Sequence, residues 1–397
     1  MSNSNESSHF SGRKRHFDSK YEDEHYKKTQ RTNQHAAVVA EHYNKRENTS
    51  CAVRRNSKIY YMRNFNNWTK SVLIKKYLDK LRSGNWKHKP TILDLGCGKG
   101  GDLLKWNKGN IRKIICTDIA ATSITQCKER YDLLKKKSRN NQVFDAEFLV
   151  ADSGKESLKE MFSNPETEID ITSCQFVIHY TFESETQAEK MVRNACESLQ
   201  EGGYFIGTTV NAKKLVNKLH SAEDMKFGND VYSVRFQSKD SFPDFGCQYQ
   251  FQLDDVVDCP EFLLKKKNLV QLCQKYGMHL VEWKTFAEFF DENCNDNENF
   301  KLIRRMKALE EYPSVSGPLN SSIRSDYDHA KKEIDRIISK HPRSEPRVAT
   351  LSKTEWEAAS IYVVYAFIKD SNVSRSSPER TKEETNDAEE KIPLVII

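Results

Sequence analysis

A glycine-rich turn at the end of a short apolar segment constrains this chain more than any other feature. Residues 91–95, TILDL, are typical of a buried strand, and residues 94–102 read DLGCGKGGD, with glycines at 96, 98 and 101. Glycines at this spacing let the backbone turn sharply and approach a ligand closely. The turn therefore predicts an α/β domain with a nucleotide-like ligand at the carboxyl end of its first strand.

Apolar segments on both sides of the turn alternate between strand and helix periods. We expect strands at 111–117, 146–150, 169–179 and 204–209, helices at 119–137, 158–162 and 186–199, and antiparallel additions at 231–236 and 247–253. Further helices are expected at 38–43, from Asn66 as an N-cap candidate, at 269–276 and at 287–309, and a last strand over 356–368. Short connections between alternating elements indicate βαβ units, so the predicted fold is a mostly parallel sheet with helices on both faces.

The two ends of the chain differ in composition from this ordered part. Residues 1–36 and 370–397 are polar and charged, and we expect both to be disordered tails around one domain at 37–369, with 314–348 as a flexible insertion. Lys and Arg total 63 against 57 Asp and Glu, a net charge of +6, and the mean hydropathy is −0.77. We therefore expect neither a membrane span nor a secretory signal. The cysteines lack zinc-finger spacing, which favours a reducing compartment.

Two cofactor classes fit the glycine turn. A dinucleotide requires a pyrophosphate at the following helix, whereas S-adenosylmethionine carries a cation and no phosphate. Asp94 and Asp102 flank the glycines and would repel a pyrophosphate, which favours S-adenosylmethionine. Asp118, at the tip of the second strand, can accept both ribose hydroxyls. Asp152 can meet the adenine amino group or equally cap a helix.

Several longer segments closely resemble the mRNA cap guanine-N7 methyltransferase family. They are VVAEHY at 38–43, RNFNNWTKSVLI at 63–74, LDLGCGKGGDLLKW at 93–106, CQFVIHY at 174–180, GGYFIGTT at 202–209, FGC at 245–247, VVDCPEF at 256–262 and WEAASIY at 356–362. The resemblance covers about 37–369. It implies a Rossmann-like class I methyltransferase that moves a methyl group from S-adenosylmethionine to N7 of the terminal guanosine of capped pre-mRNA, in the nucleus, without a metal.

The resemblance also assigns residues to two sites. Those implied to bind S-adenosylmethionine are Lys70, Gly96, Asp118, Asp152, Gln175 and Tyr180. Those implied to face the cap are Asn66, Asn67, Lys99, Lys105, Arg130, His179, Glu261 and Tyr362. The implied partner is 5′-capped pre-mRNA, and a small activating subunit or the transcription and capping machinery is left open.

The chemistry of methyl transfer to N7 requires a site that positions the two reactants but does not need to activate the nucleophile. The N7 lone pair of guanine is free at neutral pH, so in-line transfer needs no general base, and no catalytic residue is expected. Lys99, inside the glycine turn, has to point toward the cleft or solvent, whereas Lys105 and Arg130 taken alone read as solvated surface. His179 and Tyr180 are expected at the tip of the fourth strand. From periodicity alone Tyr362 reads as core.

A short basic segment and three other classes of protein stay open at this point. Residues 12–16, GRKRH, are either a solvated tail or a nuclear targeting or RNA-touching segment. The chain could be an inactive relative that only binds capped RNA, a methyltransferase of small molecules, or a dehydrogenase. The intact glycine turn argues against the first, and the lysines bordering the cleft against the second.

Overall fold

A seven-stranded sheet in the order β10-β13-β5-β4-β1-β2-β3 organises the chain. The computed structural model describes residues 35–45, 55–84, 88–138, 143–254, 256–315, 317–370 and 391–396. The strands are β1 Thr91–Leu95, β2 Lys113–Asp118, β3 Asp145–Val150, β4 Ile169–Gln175, β5 Leu199–Val210, β6 Lys226–Gly228, β7 Tyr232–Phe236, β8 Gln248–Leu253, β9 Val257–Phe262, β10 Met278–Thr285, β11 Glu310–Tyr312, β12 Val348–Thr350, β13 Tyr362–Lys369 and β14 Leu394–Ile396.

Helices connect these strands and cover the sheet. They are α1 35–45, α2 Tyr60–Ser83, α3 Leu103–Lys108, α4 Ala121–Lys137, α5 Leu158–Met161, a 3₁₀ helix Ile178–Glu183, α6 Glu185–Cys196, α7 Ala212–Ser221, α8 Lys266–Gln274, α9 Phe286–Asn293, α10 Asn297–Arg305, a 3₁₀ turn Arg324–Tyr327, α11 Asp328–Lys340 and α12 Lys353–Ala359. None of the helices in the described ranges is both long and apolar enough to cross a membrane.

The pairing of the strands confirms the predicted mixed sheet. β1 pairs in parallel with β2 and β4, while β13 pairs antiparallel with β5 and β10. Neighbouring side chains on a strand point to opposite faces. Ile92 accordingly belongs to one buried cluster and Leu93 to another, so the sheet is covered on both faces as predicted. The order reverses between β1 and β4, where open α/β sheets bind ligands at the carboxyl edge.

Helix α2 begins earlier than its sequence indicated. It starts at Tyr60, so Asn66 and Asn67 lie inside it and the expected Asn cap is wrong. Its N-cap residue makes no side-chain capping bond; instead a carboxyl oxygen of Glu355 accepts a hydrogen bond from the Met62 amide at 2.9 Å. This partner lies 293 residues away in the chain, which local patterns do not show.

Three further boundaries differ from expectation. β4 ends at Gln175, and Phe176 takes a left-handed φ of 61°, so His179 and Tyr180 lie in the following 3₁₀ helix rather than at the strand tip. The helix expected over 287–309 is two helices, because Asp296 caps α10 through two backbone amides. Trp356 lies in helix α12, and the last strand of the main sheet begins at Tyr362.

Two small antiparallel sheets complete the fold. β6-β7-β8-β9 form one, and β9 brings Glu261 toward the 3₁₀ helix. The other consists of β11, β12 and β14, so Leu394–Ile396, expected in a disordered tail, forms a strand paired with Val348–Thr350. The expected flexible insertion 314–348 contains helix α11. Residues 1–34 of the tail expected at 1–36 and most of the tail expected at 370–397 lie outside the described residues, whereas residues 35 and 36 belong to helix α1.

Candidate active site

A cleft opens at the carboxyl edge of the parallel strands, at the point where the strand order reverses. It encloses about 740 Å³ of empty space, part of it open to solvent. Its walls come from the glycine turn, the ends of β2, β3 and β9, the 3₁₀ helix, and helices α1 and α6. The lining residues are His35, Ala36, Val39, Gly96, Asp118, Ile119, Ala151, Asp152, Ser153, Gly154, Val177, Tyr180, Thr181, Glu183, Gln187, Met191 and Phe262.

The glycine turn is held close to the opposite wall of the cleft. Gly96 has a φ of 67°, and a Cβ built on it would lie 2.4 Å from the Val177 side chain. Gly98, with a φ of 52°, donates its backbone N–H to the carboxylate of Asp118 at 2.9 Å. Any side chain at 96 would therefore displace the Val177 wall, so this position requires glycine.

Asp118 presents a fixed carboxylate at the end of β2. One oxygen accepts the Gly98 amide and the other accepts the Ala120 amide, both at 2.9 Å. Burial raises the pKa of Asp118, while these two hydrogen bonds act in the opposite direction. Each oxygen keeps acceptor capacity toward the cleft, because a carboxylate offers about four lone-pair positions. The arrangement fits two vicinal hydroxyls.

Two acids lie on the neighbouring wall. Asp152 accepts the Gly154 amide at 3.0 Å and pairs with Lys155 at 3.3 Å, so it both stabilises a turn and faces the cleft. Glu183 also lines the cleft, and burial raises its pKa to about 7. Sequence reasoning missed Glu183, because its place in the 3₁₀ helix has no local signature. His35 and Gln187 were missed for the same kind of reason.

A buried charge cluster lies beside the glycine turn. The carboxylate of Asp102 pairs with Lys70 at 2.9 Å and with Lys105 at 2.6 Å, and Lys105 also donates to Asn67 at 3.3 Å. Burial disfavours ionisation of Asp102, but the two ammonium groups outweigh it and lower its pKa. Burial, aided by Asp102, raises the pKa of Asp94 well above its ordinary value.

This cluster changes two sequence-based arguments. The charge of Asp102 is compensated, so its expected repulsion of a pyrophosphate is weaker than the sequence suggested. Lys105 is an ion-paired side chain only 12% exposed, rather than part of a solvated face. Lys70 and Lys105 are not in the cleft wall described above. Gln175 is not either, because its amide bonds with Thr208 and Ser173, each at 3.2 Å.

Glu261 is the centre of a second buried polar group. Its side chain is almost fully buried, and its carboxylate accepts a hydrogen bond from Tyr249 at 2.7 Å and one from Tyr180 at 3.3 Å. The Nε2 atom of His179 lies 3.5 Å from the same carboxylate. Tyr180 also contacts the hydroxyl of Tyr43 at 3.2 Å and lines the cleft. Tyr180 therefore joins the Glu261 group to the cleft.

The remaining predicted cap-facing residues occupy different surroundings. Tyr362 is buried, with its ring 4.8 Å from that of Phe176, and burial together with nearby Glu261 raises its pKa well above the ordinary value. The buried Oδ1 atom of Asn66 has no hydrogen-bond partner among the described residues. Lys99 is half-buried in the glycine turn, and Arg130 is exposed on α4.

The sequence is similar to known proteins over most of its length. A model of the mRNA (guanine-N(7))-methyltransferase domain matches residues 26–370. An mRNA cap guanine-N(7) methyltransferase of Drosophila melanogaster is 42% identical over 343 residues, which cover 84% of this chain and 77% of that protein. One of Caenorhabditis elegans is 35% identical, covering 88% and 90%, and one of Arabidopsis thaliana is 33% identical, covering 92% and 90%. The resemblance inferred from the motifs is thereby confirmed: the chain belongs to the mRNA (guanine-N(7))-methyltransferase family.

Proposed function

We propose that this chain is an mRNA (guanine-N7)-methyltransferase, which moves a methyl group from S-adenosylmethionine to N7 of the terminal guanosine of a 5′ cap. The observation that carries the proposal is the junction at Tyr180. This one side chain lines the cleft that suits an adenosine and also bonds Glu261, a buried carboxylate that suits a guanine edge. The two reactants would thus bind side by side.

The residues that line the cleft have the chemistry needed to bind S-adenosylmethionine. Asp118 would accept the ribose hydroxyls, and Asp152 would accept from the adenine amino group. Gly96 keeps the turn against the Val177 wall of this cleft, because a Cβ there would lie 2.4 Å from the Val177 side chain. The sulfonium of S-adenosylmethionine supplies the methyl group when bound. Acids surround this cleft, which suits a cationic ligand.

Glu261 would read the base. Guanine presents two adjacent donors, the ring N1–H and the exocyclic amino group, and one carboxylate can accept both. Tyr249 and Tyr180 fix the orientation of this carboxylate before the base arrives. Adenine has an acceptor at the ring position and would face the carboxylate with a lone pair. The site would select guanine over adenine, because binding adenine would leave the buried charge of Glu261 without a hydrogen-bond donor.

The reaction requires the protein to align the two reactants and to stabilise the positive charge that moves between them. N7 needs no deprotonation, so the rate enhancement comes from alignment of the two reactants. A positive charge moves onto the guanine during transfer, and the fixed carboxylate of Glu261 stabilises it. Asn66, whose buried oxygen has no partner among the described residues, is a further acceptor for the base or its ribose. Lys99, Lys105 and Arg130 would attract the anionic triphosphate bridge.

The direct test compares RNA of one sequence with and without an unmethylated guanosine cap. We expect transfer of labelled methyl to the capped RNA alone, and nuclease digestion should release the label as 7-methylguanosine. Glu201→Gln, at an exposed position of β5, serves as a control that keeps full activity. Label in uncapped RNA, or at another position of the cap, would contradict the proposal.

We also propose that the enzyme acts in the nucleus, where pre-mRNA is capped. The supporting feature is the basic segment 13–15, RKR, which lies outside the described residues. Replacing all three by alanine should shift a fluorescently tagged protein toward the cytoplasm while its methyl transfer in vitro stays the same. An unaltered distribution would remove this role. A small activating subunit or the capping machinery remains part of the proposal as a protein partner.

A further inference from the structure

Three thiols meet directly beside the glycine turn. Cys97 lies in the turn, Cys116 in β2 and Cys127 on α4, and their Sγ atoms all lie within 4.8 Å of one another. A Cβ built on Gly100 would lie 2.8 Å from the sulfur of Cys127, so this sulfur packs against the backbone of the turn. In the part of the chain that the structure describes, no other three side chains of His, Cys, Asp or Glu gather their ligand atoms in this way.

The spacing of the sulfurs suits a thiophilic ion after a small contraction. Zinc–sulfur bonds are about 2.3 Å long, so three sulfurs around one zinc lie about 4 Å apart. Bringing sulfurs no more than 4.8 Å apart to that spacing needs a shift of less than about 1 Å. All nine described cysteines are free thiols, so none of the three is used in a disulfide.

The kind of ligand atom in the cluster favours a soft metal ion, because all three ligand atoms are sulfurs. Cys116 and Cys127 are buried, and the cluster offers three sulfurs, whereas magnesium and calcium prefer oxygen ligands. Soft thiolates without oxygen ligands select zinc or monovalent copper.

We propose that Cys97, Cys116 and Cys127 form a binding site for a soft metal ion, zinc or monovalent copper, and that its occupation weakens binding of S-adenosylmethionine. The metal site does not depend on the proposed function, whereas the coupling to the cofactor rests on it.

The coupling follows from what lies on either side of Cys97. Gly96 touches the Val177 wall with no room to spare, and the Gly98 amide holds Asp118. Drawing the Cys97 sulfur toward β2 and α4 shifts both glycines and disturbs the carboxylate that would hold the ribose. Linkage is reciprocal, so the cofactor would in turn weaken metal binding.

The test uses the full chain, freed of metal by a chelator and kept reduced. Zinc and monovalent copper are added in separate titrations, each against a chromophoric chelator, and cobalt is added as a spectroscopic substitute. We expect one equivalent of at least one of the two ions to bind, and cobalt to give sulfur-to-metal charge-transfer absorption. Binding should also raise the melting temperature, because only the folded chain assembles the three thiols.

The variants Cys97→Ser, Cys116→Ser and Cys127→Ser should each lose the bound equivalent. Cys196→Ser is the matched control, since Cys196 is buried beside another thiol, that of Cys273, and lies outside the three-thiol cluster. The cobalt spectrum of the unaltered chain decides the matter even if a variant fails to fold. No bound equivalent of either ion, or an equivalent retained by the three variants, would overturn the metal site.

The coupling has its own readout. The dissociation constant of S-adenosylhomocysteine, measured by calorimetry with and without the ion, should rise at least about fivefold on metal binding. An unchanged constant with the ion bound would overturn the coupling alone. Failure of S-adenosylhomocysteine to bind in the metal-free chain would instead refute the proposed function and leave the metal site standing.

Discussion

Replacing Glu261 by glutamine isolates the part of the site that would recognise guanine. The side chain keeps its size but loses its charge, and one of its carboxylate oxygens is replaced by an amide NH2 group. Tyr249, which now donates to the carboxylate at 2.7 Å, would hold the remaining oxygen. The amide NH2 group would then face the guanine donors, so at least one hydrogen bond to the base is replaced by a contact between two donors.

The expected loss follows from the burial of this residue. Glu261 is only 3% exposed, so water cannot replace the lost partners. A hydrogen bond to a charged group contributes about 1.5–3 kcal/mol. Losing one such bond lowers kcat/KM by a factor of about 10 to 150. The affinity for S-adenosylmethionine should change little, because Asp118 and Asp152 are unaltered.

The assay is a cycle of two enzymes and two caps. The intact enzyme should prefer guanosine over inosine caps by about 1–3 kcal/mol in transition-state stabilisation, since inosine lacks the exocyclic amino group. The Glu261→Gln enzyme should lose most of that preference, as should Glu261→Ala, which removes the acceptor altogether. Circular dichroism confirms that each variant is folded. A folded variant that keeps the full preference refutes the assignment of Glu261 to the base.

Three more expectations concern the charges of the site and the fold. Asp118→Ala should raise the dissociation constant of S-adenosylmethionine at least about tenfold by calorimetry, because a charged acceptor is lost; an unchanged constant in a folded variant contradicts the ribose role. Lys99→Ala, Lys105→Ala and Arg130→Ala should each weaken cap binding and flatten its dependence on salt; if all three variants keep the salt dependence of the unaltered enzyme, these side chains do not contact the triphosphate. Burial raises the pKa of Glu355 to about 8, so the folded chain holds a proton there that the unfolded chain loses near its ordinary value of 4.5. Stability should therefore fall as pH rises through this interval, by at most about 1.4 kcal/mol per pH unit, and urea unfolding of Glu355→Gln should show a smaller fall; an identical fall would exclude Glu355 as its source.

The sequence was most informative where the determinants are local. The apolar segment at β1, the glycines after it and the acid ending β2 are features of short stretches, and each lies where it was expected. Parallel pairing also followed from short connections between alternating elements. These features place the cofactor cleft before any tertiary contact is known.

Sequence reasoning failed where the determinant lies far along the chain. Helix α2 begins at Tyr60 because Glu355 accepts the amide of Met62. The ion pairs of Asp102 join α2 to the glycine turn, and they make Lys105 an ion-paired, half-buried residue rather than a solvated one. The three thiols come from a turn, a strand and a helix. The periodicity of a single segment does not predict contacts between residues so far apart in the chain.

At Glu261 the family resemblance identifies the site residues, and the structure shows the contacts between them. Family resemblance pointed to Glu261, His179 and Tyr180 as separate site residues. In the structure Tyr180 and Tyr249 donate hydrogen bonds to the carboxylate of Glu261, and the Nε2 atom of His179 lies 3.5 Å from it. An apolar strand of alternating pattern predicts that Tyr249 is buried, and only the pairing of β8 with β9 places it opposite Glu261.

A crystal structure with S-adenosylhomocysteine and an unmethylated cap dinucleotide would show whether the cleft and the Glu261 group hold the two reactants side by side, joined at Tyr180. We expect the ribose hydroxyls on Asp118, the N1–H and amino group of guanine on Glu261, and N7 facing the sulfur of the bound S-adenosylhomocysteine. A guanine bound away from Glu261, or with N7 turned away from that sulfur, would contradict this expectation.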